Sequence, residues 1–171
     1  MKLVIASDIH GSAKWCREVM RVIEEEAPDK VVLLGDLLYH GPRNPLPDDY
    51  APAEVAAMLN GIASQVLAVR GNCDAEVDQM MLDFPCMADY AILVDGARQL
   101  YCTHGHLWAP DSLPPLQEGT AFLYGHFHVK VNEAREGIRL FNPGSAAIPK
   151  DGSHSVGIYV GGEFAFRELG A

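Results

Sequence analysis

Residues 2–36 read KLVIASDIHGSAKWCREVMRVIEEEAPDKVVLLGD, and this stretch predicts a strand, a helix and a second strand. The continuous apolar runs at 2–6 and 30–34 have the length of buried strands. Between them, residues 13–27 carry apolar side chains at helical spacing behind Ser12, which predicts a helix capped by that serine. Strand, helix and strand in this order favour a parallel sheet with a right-handed crossover.

The same alternation continues along the chain and then changes. Residues 52–62 predict a second helix and residues 65–69 a third parallel strand, and a short helical stretch follows at 75–82. From residue 90 onward the pattern predicts strands joined in part by tight turns. These strands are 90–94, 99–102, 121–124, 130–134, 138–141, 156–160 and 163–167. We expect the two halves of the chain to form two sheets that pack on each other, with helices on the outside.

The composition is that of one globular domain spanning residues 1–171. Hydrophobic residues make up 49% of the chain and charged residues 21%, a balance that supports a full-sized core. The net charge of -10 disfavours binding to polymeric nucleic acid. The apolar runs are too short to span a membrane. The four scattered cysteines suit a reducing compartment, so we expect a cytoplasmic protein.

Polar clusters follow the ends of the predicted strands. They are Asp8-Ile9-His10, Gly35-Asp36, Gly71-Asn72-Cys73-Asp74, His104-Gly105-His106 and Gly125-His126-Phe127-His128. Because loops at strand ends converge on one point in α/β folds, we expect these side chains to form a single site. All of the histidines except His154 lie in or beside the clusters.

The types of donor in these clusters predict a metal site. In Asp8-x-His10 and His126-x-His128 the paired side chains are two residues apart, so they project to the same side of an extended strand end. Imidazole and carboxylate donors without a thiolate pattern suit Mn²⁺, Fe or Zn²⁺. Each motif alone has a simpler interpretation, because such residues are common in solvated turns and Asp36 is also placed to cap a helix. The combined set is far more specific, and a two-metal hydrolase is the preferred hypothesis.

In order, these motifs resemble the calcineurin-type metallophosphoesterase family, and the Gly71-Asn72-Cys73-Asp74 and Asn142-Pro-Gly-Ser145 segments resemble its YfcE-like phosphodiesterase subgroup. The resemblance implies an α/β fold, a four-layer αββα sandwich of two mixed sheets flanked by helices. It also implies two divalent metal ions that share a hydroxide for in-line attack on phosphorus, with Mn²⁺ preferred and Fe, Zn²⁺ or Ni²⁺ as alternatives. The implied ligands are Asp8, His10, Asp36 and His128 for one ion, and Asp36, Asn72, His104 and His126 for the other.

Cys73 departs from the pattern of the family. Many members have a histidine at this place, where it protonates the leaving oxygen, and a thiol is a poor acid for that role. We therefore expect either substrates whose leaving group departs readily or proton donation by His40 or His106. A nucleophilic thiol is less favoured, because the metal ions already supply hydroxide. The candidate catalytic residues are Cys73 and His40.

Further residues near the clusters have more than one interpretation. Asp74 is expected to cap the helix that follows, with orientation of a neighbouring catalytic side chain as the alternative. Arg70 is expected to form a surface ion pair rather than to bind phosphate. Some loop aromatic residues either pack under their own loops or stack on a base or an aryl ester. These aromatic residues are Tyr39, Tyr50 and Trp108.

The sequence therefore predicts a metal-dependent phosphoric diester hydrolase that acts on a small phosphodiester. The rivals are a non-catalytic scaffold of the same fold, such as the retromer subunit, and a phosphomonoesterase. The complete donor set argues against a scaffold. The few arginines near the site, Arg43 and Arg70 among them, argue against a cationic clamp for a monoester. A homo-oligomer is the base-rate expectation for a small enzyme.

Overall fold

The structure is a computed structural model that describes residues 1–170 of the chain. Ala171, the last residue of the predicted domain, lies outside the described residues. The helices are α1 (Ala13–Glu26), α2 (Pro52–Asn60) and α3 (Glu76–Met81), and a 3₁₀ turn lies at Ala63–Gln65. The strands are β1 (Lys2–Ala6), β2 (Lys30–Leu33), β3 (Val66–Ala68), β4 (Tyr90–Asp95), β5 (Arg98–Thr103), β6 (Ala121–Leu123), β7 (Lys130–Arg135), β8 (Ile138–Pro143), β9 (Ser155–Val160) and β10 (Glu163–Glu168).

The first sheet contains the parallel strands that the sequence predicts. Its order in the described chain is β10-β9-β1-β2-β3, and β1, β2 and β3 run parallel, with Leu3 opposite Lys30. Helix α1 crosses from β1 to β2. Ser12 caps its N-terminus, because the Ser12 Oγ accepts a hydrogen bond from the Trp15 amide at 3.4 Å, as predicted.

The second sheet is also mixed. Its order within residues 1–170 is β4-β5-β6-β8-β7, with parallel pairs at the centre and an antiparallel pair at each edge. The expectation that each half of the chain forms its own sheet is wrong for β9 and β10, which return to the first sheet. The reason is β1, whose apolar side chains are buried on both faces: such a strand belongs at the centre of a sheet and needs a partner on each side.

Alternating side chains on the strands build the layers of the fold. On β1, Leu3 and Ile5 pack between the two sheets, whereas Val4 and Ala6 pack against the helices. Phe122 on β6 faces away from the first sheet, where side chains of the 104–120 connection cover it. The predicted fold class, an α/β sandwich of two mixed sheets flanked by helices, is confirmed.

Two further observations concern the helices and the cysteines. Among residues 1–170, no helix has the length and the apolar character that crossing a bilayer requires. The cysteines at positions 16, 73, 86 and 102 are free thiols.

Candidate metal centre

The polar clusters meet at one end of the two sheets. Asp8 and Asp36 follow β1 and β2, and His104 and Gly125 follow β5 and β6. Backbone hydrogen bonds join the loops: the Asp8 amide donates to the Gly35 carbonyl at 3.1 Å, and the Gly125 amide donates to the His104 carbonyl at 2.7 Å. Each sheet therefore holds its own pair of loops in a fixed relative position.

One group of donors surrounds Asp8. Its Oδ1 lies 3.1 Å from Nε2 of His128 and 3.6 Å from Nε2 of His10, and the two histidine nitrogens lie 3.4 Å apart. All three side chains are buried. Their ligand atoms lie within 4.8 Å of one another, so a single ion could contact all three.

A second group of donors surrounds Asp36. Its Oδ2 lies 3.7 Å from Nε2 of His10 and 3.4 Å from Nε2 of His104. Oδ1 of Asn72 lies 3.2 Å from the same His104 nitrogen. The ring of His126 is centred 5.1 Å from that of His104, and its backbone amide donates to Asp8. The structure thus brings all seven predicted metal ligands to one place.

Backbone carbonyls orient the three buried histidines. Because a carbonyl oxygen only accepts hydrogen bonds, each Nδ1 donates and each Nε2 faces the site with its lone pair when the ring is neutral. The same arrangement orients the imidazole ligands of known metal sites. The pairs are His10 with Tyr39 at 2.9 Å, His104 with Leu34 at 2.6 Å, and His128 with Ile148 at 2.6 Å.

The two buried carboxylates require positive charge. Within residues 1–170 the ion-pair partners of Asp8 and Asp36 are histidines alone. Burial by itself would lower the pKa of His104, but the hydrogen bond to Asp36 and the charges of both carboxylates raise that pKa to about 9. Burial would raise the pKa of Asp8, yet His10 and His128 hold it well below its usual range.

Among residues 1–170, one oxygen of Asp8 has no hydrogen bond to balance its charge. Its Oδ1 is buried and has no hydrogen-bond donor among the described residues. It therefore depends on the charge of the neighbouring histidines, or on a cation that they share with it. Oxygen and imidazole nitrogen donors at these distances fit a divalent metal ion.

The backbone is strained at most of the predicted ligands. Of the eight non-glycine residues with positive φ in the described chain, five belong to this site. Such conformations cost of the order of 1 kcal/mol each, and they cluster at binding and catalytic sites because the surrounding structure holds them there. The five are Asp8 at 57°, His10 at 49°, Asp36 at 55°, His126 at 65° and His128 at 60°.

Asp74 has a different role from the one expected. It does not cap α3, whose first turn is closed by Asp78 accepting from the Ala75 amide at 2.7 Å. Asp74 is buried and accepts hydrogen bonds from the backbone amides of Asp36, Leu37 and Gly71, at 2.8, 2.9 and 2.7 Å. Burial, followed by the charge of Asp36, raises the pKa of Asp74 to about 6. It therefore joins the loops after β2 and β3.

The two candidate catalytic residues lie in different surroundings. The Cys73 amide donates to Asp36 Oδ1 at 2.8 Å, and its Sγ lies within 4.8 Å of ligand atoms of His10 and Asp36. Burial, and then the charge of Asp36, raise the pKa of this thiol. The ring of His40 instead packs edge-on against Tyr39 and Tyr50. In the described chain, the donor groups do not include His40.

A polar cleft opens onto the donors, and sequence reasoning missed part of its wall. Lys150 lines the cleft, and its amide donates to the His128 carbonyl at 2.9 Å. A lone lysine in a loop without a pattern carries no signal in the sequence. The cleft has a volume of about 320 Å³ and is lined by Asp36, Arg43, Asn44, Asn72, His126, Phe127, His128 and Lys150.

Two serines support Asp8; sequence reasoning missed Ser7 and named Ser145 only as part of the 142–145 segment. Ser7 donates from Oγ to Asp8 Oδ2 at 2.6 Å, and Ser145 donates to the Asp8 carbonyl at 2.9 Å. Adjacency to Asp8 was the signal for Ser7, and the turn at 142–145 was the signal for Ser145. Arg70 forms the predicted ion pair, here with Asp89 at 2.6 Å.

The comparisons with known proteins agree with this geometry. A sequence model described as a calcineurin-like phosphoesterase superfamily domain matches residues 1–160. The chain belongs to the calcineurin-like phosphoesterase superfamily. Members of this family are hydrolases that depend on metal, and the predicted family and the predicted class of enzyme, a hydrolase, are confirmed.

Individual relatives extend the match over most of the chain. The phosphodiesterase YfcE of Escherichia coli K12 is 50% identical over 153 residues, which cover 90% of this chain and 83% of that protein. A solved structure of the E. coli phosphoesterase YfcE has a TM-score of 0.92 at 48% identity, covering 94% of this chain and 89% of that one. An archaeal phosphodiesterase has a TM-score of 0.73 at 21% identity and covers 99% of this chain and 100% of its own, a likeness of fold alone.

Proposed function

We propose that this chain is a binuclear, divalent-metal phosphodiesterase that hydrolyses a small phosphodiester. The observation that supports it is the position of Asp36, whose Oδ2 lies 3.7 Å from the His10 nitrogen and 3.4 Å from the His104 nitrogen. A carboxylate within reach of two donor groups is what a ligand shared by two ions requires. The name of the E. coli relative, a phosphodiesterase, supports the choice of ester.

Each ion would have its own donors beside the shared carboxylate. Imidazole nitrogen with carboxylate and amide oxygen suits Mn²⁺, which we propose as the ion used, with Fe, Zn²⁺ or Ni²⁺ as alternatives. One set of ligands is Asp8, His10, Asp36 and His128. The other set is Asp36, Asn72, His104 and His126.

The cleft supplies the remaining requirements of the reaction. When bound, a pair of divalent ions supplies the attacking hydroxide and neutralises charge on the phosphate. Arg43 and Lys150 line the cleft and offer positive charge to the phosphate oxygens. Arg70 is already paired with Asp89. The small number of cationic side chains suits the single charge of a diester better than the double charge of a monoester.

Proton donation to the leaving oxygen is the weakest part of this site. In the metal-free chain, burial and the charge of Asp36 raise the pKa of the Cys73 thiol, which does not favour a nucleophilic thiolate. Cys73 lies beside Asp36, whereas the ring of His40 packs between two tyrosines. Burial, followed by the charge of His104, lowers the pKa of His106. We therefore propose Cys73 ahead of His40 as the donor, and substrates whose leaving group departs readily.

The rival functions predict different behaviour. A scaffold of this fold has no need of seven competent donors with oriented imidazoles and a strained backbone, and this chain has all of them. A phosphomonoesterase would favour the dianionic substrate. Comparing hydrolysis of bis(p-nitrophenyl) phosphate with that of p-nitrophenyl phosphate, with and without added Mn²⁺, separates the three functions.

Asp36→Asn tests the shared carboxylate. We expect the variant to lose both ions, as measured by metal analysis after gel filtration, and to lose hydrolysis of bis(p-nitrophenyl) phosphate. The asparagine side chain keeps an oxygen that can accept the hydrogen bond from the Cys73 amide, so we expect the variant to fold. Circular dichroism checks the fold.

His154→Ala is the matched control. Its ring stacks on Trp15 at 3.4 Å and its Nδ1 lies 2.8 Å from the Ala146 carbonyl, outside the donor groups. We expect it to keep both ions and full turnover. Full activity in the Asp36 variant, or loss of one ion alone, would contradict the bridging role.

The proposal also covers the domain organisation, the location and the partners of the enzyme. We propose that residues 1–171 form a single domain, since the family match covers residues 1–160 and the C-terminal strands complete the first sheet. We propose a cytoplasmic location on the basis of the free thiols. We expect a homo-oligomer, because most soluble oligomers are formed from copies of one chain. The net charge of -10 disfavours binding to polymeric nucleic acid.

A further inference from the structure

A second cleft, different in character, lies beside the metal centre. We call it the apolar cleft. It has a volume of about 390 Å³, within the range of small-molecule sites. It is lined by Leu38, Tyr39, Tyr50, Pro52, Ala53, Cys73, Ala75, Val77, Asp78 and Met81.

The apolar cleft adjoins the proposed reaction site at Cys73. Cys73 lines it, and the Cys73 sulfur lies within 4.8 Å of ligand atoms of His10 and Asp36. A phosphate at the metal centre would therefore have one ester oxygen next to the mouth of this cleft.

The residues that line the apolar cleft disfavour a negatively charged ligand. Of the described residues around the cleft, none is a lysine, an arginine or a histidine. Its carboxylate, Asp78, is buried and accepts from the Ala75 amide at 2.7 Å. A phosphate or carboxylate group would meet one negative charge and no positive one. An uncharged apolar group would meet aromatic and aliphatic side chains instead.

Large apolar side chains on this surface have no cover in the described chain. Tyr39 is 42% exposed, Val77 is 61% exposed and Met81 is 48% exposed. Exposed apolar groups that line a concavity next to a reaction site gain free energy when a ligand covers them. Single exposed residues of this kind need no explanation, but here they share one cleft.

We propose that the apolar cleft holds one ester group of the substrate and that this group is an uncharged aromatic one. This assignment rests on the proposed phosphodiesterase function and names its class of substrate: diesters in which a flat apolar group is attached to the phosphate. The polar cleft with Arg43 and Lys150 receives the phosphate and the other ester group. Substrates with a second anionic group on the apolar side are disfavoured.

Ala53→Phe tests the assignment by filling the cleft. Ala53 lies on α2, is exposed and lines the cleft, so a larger side chain there occupies the space without entering the core. Ala57→Phe is the matched control, because Ala57 is exposed on the same helix and lies outside the lining. Val77→Gln is a second variant that removes apolar surface without adding bulk.

The probes are phenylphosphonate and methylphosphonate, titrated by calorimetry into the Mn²⁺-loaded protein. They carry the same charged group and differ in the apolar one. We expect the wild type and Ala57→Phe to prefer phenylphosphonate roughly tenfold, as burial of about 60 Å² of apolar surface predicts. We expect this preference to disappear in Ala53→Phe and to shrink in Val77→Gln, with binding of methylphosphonate unchanged.

Two results overturn the assignment. One is a wild type that binds both phosphonates equally, and the other is an Ala53→Phe variant that keeps the preference. Neither depends on turnover. Failure of the proposed function has a different signature, since a wild type without Mn²⁺-stimulated hydrolysis of bis(p-nitrophenyl) phosphate refutes the function whatever the phosphonates do.

Discussion

Replacing Asp74 by alanine is expected to destabilise the protein more than any comparable change near α3. The side chain is buried and accepts hydrogen bonds from three backbone amides, those of Asp36, Leu37 and Gly71. Each buried amide left without an acceptor costs about 1–3 kcal/mol, so the three together predict a loss of roughly 3–9 kcal/mol. Urea unfolding at neutral pH with a chelator present measures this loss without a contribution from bound metal.

Asp78→Ala is the control for that measurement. Asp78 is buried to the same degree, but it accepts from one amide, that of Ala75. Loss of a helix cap of this kind costs about 1 kcal/mol. If Asp74→Ala is no more destabilising than Asp78→Ala, the buried amides after β2 and β3 do not depend on Asp74. The reasoning is then wrong.

Three further outcomes are expected. Gly71→Ala should weaken metal binding in equilibrium dialysis, because a Cβ there would lie 2.1 Å from Asp36 Oδ1, whereas Gly61→Ala should not. The metal-free protein should lose stability as the pH rises from 6.5 to about 9, since the folded-state pKa of His104 lies above its ordinary value and the stabilisation is complete only below 6.5. Thermal melts in chelator should show this slope, and His104→Gln should reduce it. Cys73→His should raise turnover most for diesters with poor leaving groups, because a histidine can protonate the leaving oxygen. Equal effects on diesters whose leaving groups differ in acidity would show that the site does not lack a proton donor.

Local sequence patterns predict most helices and strands of this fold, but they do not predict which strands pair in the sheets. The apolar runs and helical periodicity predict the strands and helices because burial dictates them residue by residue. The return of β9 and β10 to the first sheet was not predicted, because the choice of partner strand depends on which edge of β1 is free, and no local pattern in 156–167 records that. The 3₁₀ turn at Ala63–Gln65 is too short to have a period of its own.

The candidate site divides in the same way. Its ligand types stand in clusters after strands, so their convergence can be expected from topology alone. Asp74 lies in one of those clusters and was nevertheless interpreted as a cap, because a sequence shows an aspartate before a helix and does not show amides arriving from another loop. Lys150 reaches the cleft from a loop between β8 and β9 that no motif marks.

The pairing of β1 with β9 has a consequence for how the molecule is made. Leu3 lies opposite Tyr159. Strand β1 is synthesised at the start of translation, so it can pair with β9 only when nearly the whole chain has been made. Until then β1 is an open edge, and contacts so distant in sequence slow folding. A chain that ends before residue 155 would contain every proposed metal ligand. It would still lack β9, which pairs with β1, the strand that Asp8 follows.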